Sequence, residues 1–281
     1  MDVGIGLPNA VPGATGAQLI EWSRRAEARG FSSLGTIDRI RYENYEPLAA
    51  LAAAAAVTER IGLATTVLLG PLRSNAVVLA KQALSVHALS AGRLTLGIGL
   101  GAREDDYEIT GVELRGRGRR LDQMLERIRE VWSGGEVGPT GEGSPQLILG
   151  GHADASFART ARYADGWIAS GSGPDAYREG AERARAAWES AGRDGRPRTT
   201  ALGYFSLGDR AEEDARASLG HYYAWLGDEI AEGIVGATPK TGADVAELAA
   251  KYDDAGCDEL VLFPASGDPR QVDLLADALA L

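Results

Sequence analysis

The stretch SAGRLTLGIGLGAREDDYEITG, residues 90–111, carries the reading of the fold. It opens on a helix stop, Ser90-Ala91-Gly92, and continues as a short apolar strand over residues 93–99. Glycines follow, then a dense charged cluster, Arg103, Glu104, Asp105, Asp106 and Tyr107. Buried strands of α/β proteins are short and apolar, and their C-terminal ends carry the functional loops. Glycines at such an end let a ligand approach the backbone. The cluster therefore reads either as the rim of a site or as a solvated loop.

The same unit recurs outward in both directions. Further strands are expected at residues 3–7, 33–37, 61–69, 146–149, 166–169, 199–207 and 259–263, giving eight with residues 93–99. Helical spacing fills the gaps. Leu121, Met124, Leu125 and Ile128 share one face, as do Val245, Leu248, Ala249 and Tyr252. Thr241 and Asp244 form a capping-box pattern, and Gly30, Gly192 and Gly256 sit where helices stop. Strands alternating with helices predict parallel βαβ units. A (β/α)8 barrel and an open doubly wound sheet both satisfy this. The even count without a hairpin signal favours the α/β barrel, as one domain over residues 1–281.

The chain is long enough to bury a full core. Its formal net charge of −11 argues against nucleic acid or anionic membrane as a partner. The single cysteine, Cys257, suits a reducing cytoplasm. No targeting signal or membrane span is apparent, so cytoplasmic location is expected.

If the fold is a barrel, chemistry belongs at the C-terminal strand ends. Those ends carry Pro8-Asn9, Asp38-Arg39, Thr65-Thr66-Val67, Asp106-Tyr107, Gly150-Gly151-His152-Ala153, Ser170-Gly171-Ser172-Gly173 and Phe263-Pro264. The three histidines, His87, His152 and His221, have no partner at ligand spacing, so no metal is expected; magnesium on Asp105 and Asp106 is the alternative. No nucleophile elbow or Walker loop is present. The glycine-rich ends at 150–153 and 170–173 read either as phosphate cradles before a helix N-terminus or as ordinary tight turns. His221, Tyr222, Tyr223 and Trp225 read as packing or as a platform for a flat ligand.

Taken in order, several motifs resemble the bacterial-luciferase-like flavin and deazaflavin oxidoreductases. They are VGIGLP (3–8), Gly30-Phe31 with Asp38, IGLATTV (61–67), LSAGRL (89–94), LGIGLG (96–101), ADGWI (164–168) and DELVL (258–262). The resemblance covers nearly the whole chain. It implies a (β/α)8 barrel holding a flat redox ring at its mouth, a small-molecule substrate and a homodimer. It implies a strand-3 bulge at Thr65, Thr66 and Val67, often with a cis peptide, behind the ring. It also implies a cofactor phosphate at Gly150, Gly151, His152 and Ala153, and cofactor contacts from Asp38, Asp106 and Tyr107.

Two departures bear on chemistry. Many members place histidine after the strand-2 acid, where this chain has Arg39. An arginine stays protonated but can stabilise negative charge, which leaves acid–base work to His152 or Tyr107. Sugar-phosphate-oxidising members carry a lysine where this chain has Ser172. The region after Trp132 is short, which implies an open site or a missing lid. The leading expectation is hydride transfer with the deazaflavin coenzyme F-420. The alternatives are an FMN-dependent monooxygenase and a non-catalytic flavin-binding barrel.

Overall fold

A computed structural model describes residues 1–171 and 173–281; Ser172, and with it part of the 170–173 cradle, lies outside the described residues. Nine strand segments alternate with helices: β1 (Asp2–Gly6), β2 (Ser33–Thr36), β3 (Gly62–Thr65), β4 (Leu68–Leu69), β5 (Leu94–Gly99), β6 (Gln146–Gly150), β7 (Gly166–Ala169), β8 (Arg198–Phe205) and β9 (Glu259–Pro264). Every pairing is parallel. The order is β3-β2-β1-β9-β8-β7-β6-β5-β4, and β3 also pairs with β5. β3 and β4 are two halves of one stave, so the sheet closes into an eight-stave barrel.

That third stave was expected as one strand over residues 61–69, and it is broken. Ala64 pairs with Thr95 and Leu68 with Ile98. Four steps on one side face three on the other, which is one extra residue and hence a bulge. The Thr66–Val67 peptide within it is cis.

Helices α1 (Gly16–Arg29), α2 (Pro47–Ala55), α3 (Ala76–Leu89), α4 (Glu104–Thr110), α5 (Arg117–Gly134), α6 (Asp154–Tyr163) and α7 (Pro174–Ser190) follow the successive staves. After β8 come α8 (Ala211–Ala215), a π turn (Arg216–Gly220), α9 (His221–Tyr223), a 3-10 turn (Ala224–Leu226), α10 (Asp228–Ala237) and α11 (Gly242–Asp254). α12 (Arg270–Leu279) ends the fold. Local chemistry sets the ends. Thr241 caps α11 with Asp244, and Thr15 caps α1 with Gln18. Gly30 closes α1 in the left-handed conformation. The faces read from spacing are buried: Leu121, Met124, Leu125 and Ile128 of α5 pack on the barrel wall. No described helix is long and apolar enough to cross a membrane.

Two expectations about the ends of the barrel change. Residues 135–145 join α5 to β6, and helix-to-strand connections lie at the N-terminal end. Their shortness therefore leaves the mouth untouched. The mouth does have a cover, built from residues 211–226 after β8.

Candidate active site at the barrel mouth

The glycines of β5 are explained by the bulge. Thr65 Oγ1 donates to the Gly97 carbonyl at 2.7 Å and accepts from the Gly97 amide at 2.8 Å. A Cβ at Gly97 would lie 1.9 Å from the Thr65 carbonyl oxygen. One turn further up, a Cβ at Gly99 would lie 2.5 Å from a Val67 methyl, and one at Gly150 would lie 3.4 Å from the other. Three glycines on two neighbouring staves thus make room for Thr65 and Val67 to lean inward. Thr66, also buried, donates its hydroxyl to the Thr36 carbonyl.

At the end of β2 two charged side chains are buried, Asp38 and Arg39. Asp38 Oδ2 accepts from the Leu69 amide at 2.8 Å and from Arg73 at 2.7 Å. Burial nevertheless pushes its carboxyl above the ordinary carboxylate value, against the pull of Arg73 and the Leu69 amide. Arg39 Nε donates to Asp106 Oδ2 at 2.6 Å, and Arg39 Nη2 reaches both Asp105 and Asp106. Asp106 Oδ1 also accepts the amides of Ile40 at 2.9 Å and Arg41 at 2.7 Å. The guanidinium lies 5.3 Å from the Tyr42 ring centroid and 5.7 Å from that of Tyr222. This end of β2 concentrates buried polar atoms without partners: Asp38 Oδ1, Arg39 Nη1, Tyr42 Oη and Arg73 Nε.

Asp106 is therefore a positioning residue for Arg39 and the loop after β2, with its carboxylate saturated by protein donors. With Asp105 paired to Arg39 and Arg103, neither acid presents a free carboxylate to magnesium. Tyr107 is held by the ends of β4 and β5. Its hydroxyl donates to the Leu100 carbonyl, its ring packs with Leu69 and Leu72, and burial raises its pKa. Those contacts remove it from acid–base work.

His152 follows β6, away from Asp38 and Arg39. Its Nε2 lies 3.0 Å from Ser170 Oγ, and its ring meets Trp167 edge-on at 5.8 Å. Partial burial, then the Arg183 guanidinium, hold its pKa below the ordinary value of 6.5. Its imidazole is thus neutral at pH 7. Because the native value is the lower one, protonation favours the unfolded chain, and this contribution to stability is lost as pH falls below about 6.5. In an NMR titration the His152 ring should titrate below that value, and Arg183→Ala should move it part of the way back. A midpoint at or above 6.5 in the wild type would contradict this environment.

Gly150 and Gly151 lead from β6 into α6. Gly151 has φ +136°, and a Cβ there would lie 2.5 Å from Ser156 Oγ. Trp167 Nε1 donates to the Gly151 carbonyl at 2.8 Å. Ala153 is the N-cap residue and supplies no side-chain cap, so the first turn of α6 presents backbone amides, the donors an anion would use.

The cover joins these parts. Arg103 donates to the Tyr222 carbonyl at 3.0 Å and lies 5.0 Å from the Trp225 ring. Tyr42 meets His221 at 5.6 Å and Tyr222 at 5.3 Å, and the hydroxyls of Tyr204 and Tyr223 are 2.7 Å apart. The aromatic cluster at 221–225 was legible in sequence, but Tyr42, Arg73 and Tyr204 were missed as parts of the mouth. The only available signal was their position near the ends of β2, β4 and β8.

The sequence profile for luciferase-like monooxygenases matches residues 1–280. The chain belongs to that family. Its similarity to an uncharacterised Mycobacterium tuberculosis protein is 34% identity over 192 residues, 56% of this chain and 66% of that protein. It is 31% identical over 207 residues to the F-420-dependent glucose-6-phosphate dehydrogenase of Kribbella flavida, covering 62% of each. It is 28% identical over 248 residues to the pyrimidine monooxygenase RutA of Stutzerimonas stutzeri, 73% of this chain and 67% of that one. Among solved structures, an F-420-dependent secondary alcohol dehydrogenase in complex with an F-420–acetone adduct superimposes with TM-score 0.82. That match has 16% identity and covers 99% of this chain and 98% of the other, a likeness of fold. Luciferase-like proteins of this kind are oxidoreductases or monooxygenases, working with a flavin or deazaflavin on small molecules.

Proposed function

We propose that this chain is a cytoplasmic, homodimeric oxidoreductase that binds F-420 at the C-terminal mouth of its barrel and transfers hydride between it and a small organic substrate. The observation that carries this reading is the group of unpartnered buried polar atoms on Asp38, Arg39, Tyr42 and Arg73 at the end of β2. Buried polar groups are nearly always satisfied, so four such atoms on side chains in mutual contact fit a site where a polar ligand completes the bonding. The bulge at Thr65–Val67 backs the flat ring, and the Gly150–Ala153 turn receives the phosphate through the α6 amides.

Bound there, the deazaflavin would supply a two-electron hydride donor or acceptor. The chain supplies position and charge. Arg39, still protonated and with Nη1 free, stabilises negative charge on an oxygen at the mouth. Asp38 is the group placed to exchange a proton: Oδ1 is unengaged, and burial raises its carboxyl above the ordinary carboxylate value. The cover excludes water. Sugar phosphate is not proposed as substrate.

Titration with F-420 and with FMN, followed by fluorescence quenching, tests the reading. F-420 should bind more tightly. Preference for FMN would favour the monooxygenase, and binding of neither the non-catalytic barrel. Gly151→Asp, which forces a charged side chain against Ser156, should weaken F-420 binding by about tenfold or more. An unchanged titration in a folded Gly151→Asp variant would displace the phosphate from this turn.

A further inference from the structure

The segment LRGRGRR, residues 114–120, stands out in a chain of net charge −11. It holds Arg115, Arg117, Arg119 and Arg120. Arginines elsewhere commonly pair with carboxylates, as Arg25, Arg73, Arg129 and Arg196 do. Among the described residues these four form no ion pair. The nearby acids are engaged elsewhere: Asp122 pairs with Arg159 and Glu126 with Arg162, both across the seam between α5 and α6. Arg120 ties down its own loop, donating to the carbonyls of Arg115 at 3.0 Å and of Glu113. The guanidinium groups of Arg115, Arg117 and Arg119 stay uncommitted, and Arg115 and Arg119 are exposed.

Their placement adds to the charge. Arg117, Arg119 and Arg120 lie in the first turn of α5, an 18-residue helix whose N-cap, Gly116, gives no side-chain bond and whose first turn holds no acid. That end of a helix already carries partial positive charge and unpaired amides. Three cations there oppose the dipole and one another, which a bound anion relieves. The start of α5 is on the mouth side of the barrel. Burial raises the Tyr107 hydroxyl, and Arg117 and Arg120 are near enough to oppose that rise. It also adjoins the Gly150 turn: Arg159 of α6 donates to the Gly118 carbonyl at 3.4 Å. Arg159 stands only about 7.5 Å along α6 from Asp154.

We propose that Arg115, Arg117 and Arg119 form a rim that binds an oligocarboxylate, the glutamate tail of the cofactor whose phosphate the Gly150 turn receives. The inference rests on the F-420 reading: that cofactor carries a chain of γ-linked glutamates beyond its phosphate, and FMN ends at the phosphate. Guanidinium groups recognise carboxylates through paired, charge-assisted hydrogen bonds. Three separated guanidiniums match a chain of separated carboxylates, while the α6 amides serve the single phosphate. An acidic surface elsewhere repels such a tail, so the rim also sets the direction in which it leaves the mouth.

Fluorescence quenching of the full chain by F-420 without glutamates and by F-420 carrying five tests this. The five-glutamate form should bind about tenfold more tightly at low salt. The gap should close as ionic strength rises from about 0.05 to 0.5 M. Replacing Arg115→Gln, Arg117→Gln and Arg119→Gln together should bring the two forms to equal affinity. The melting temperature of this variant should stay level or rise, since the arginines oppose the α5 dipole. Equal affinity of the two forms for the wild type, or a gap that survives in the folded triple variant, would overturn the proposal. Penta-γ-glutamate alone, followed by saturation-transfer NMR, separates the two readings. If no F-420 form binds but the peptide binds the wild type and not the variant, the cofactor reading falls and the arginine rim stands. If neither F-420 nor the peptide binds, both fall.

Discussion

Gly97→Ala should unfold much of what holds the mouth together. The new methyl would lie 1.9 Å from the Thr65 carbonyl oxygen and 3.1 Å from its carbon, both backbone atoms. Neither side can yield cheaply, because Thr65 Oγ1 clamps the Gly97 amide and carbonyl and the two staves are paired just below. Overpacking a tight interior costs typically 1–3 kcal/mol and sometimes more. A backbone clash inside a closed barrel belongs at the upper end, about 3 kcal/mol or beyond. Urea unfolding measures it, and the same variant should fail to quench F-420. Gly134→Ala is the control: it sits at the end of α5 with no atom within 4 Å of the added methyl. It should be neutral or stabilising by up to about 1 kcal/mol. A Gly97→Ala protein within about 1 kcal/mol of wild type would mean that the bulge is not seated as described.

Asp106→Ala should cost about 3–5 kcal/mol, the range for removing one member of a buried ion pair. The side chains of Arg39 and Asp106 are only 3% and 2% exposed. Removing the carboxylate leaves the guanidinium with Asp105 alone and strips two backbone amides, those of Ile40 and Arg41, of their acceptor. Asp106→Asn keeps an oxygen for those amides and should lose less. The double variant Arg39→Met with Asp106→Leu should recover most of the loss, since an apolar pair of similar size replaces a desolvated one. A double-mutant cycle measures the coupling. A loss below about 1 kcal/mol for Asp106→Ala would show that the pair carries little of the stability of this loop.

Sequence alone determined the architecture. Parallel βαβ alternation leaves few ways to bury eight apolar strands, and the helix caps and stops are local hydrogen-bond and φ requirements. Thr241 with Asp244 and Gly30 needed no distant residue to act. The position of chemistry at the strand ends follows from that architecture, which is why Asp38, Arg39 and Gly151 could be named from their places in the chain. Tertiary structure decided what each of them does. Arg39 and Asp106 stand 67 residues apart, and only barrel closure brings their charges within 2.6 Å, turning a candidate cofactor contact into a clamp. Tyr107 is adjacent to Asp106 in sequence, yet the turn of α4 ties its hydroxyl to the Leu100 carbonyl just past β5 instead of to Arg39. The glycines of 96–101 looked like room for a ligand; in space Gly97 and Gly99 make room first for Thr65 and Val67. The cover could not be read from residues 211–226 either, because its contacts with Tyr42 and Arg103 come from loops on other staves. Period and caps are properties of neighbours along the chain. Partner, burial and the direction of a side chain arise from the packing of segments the chain holds far apart.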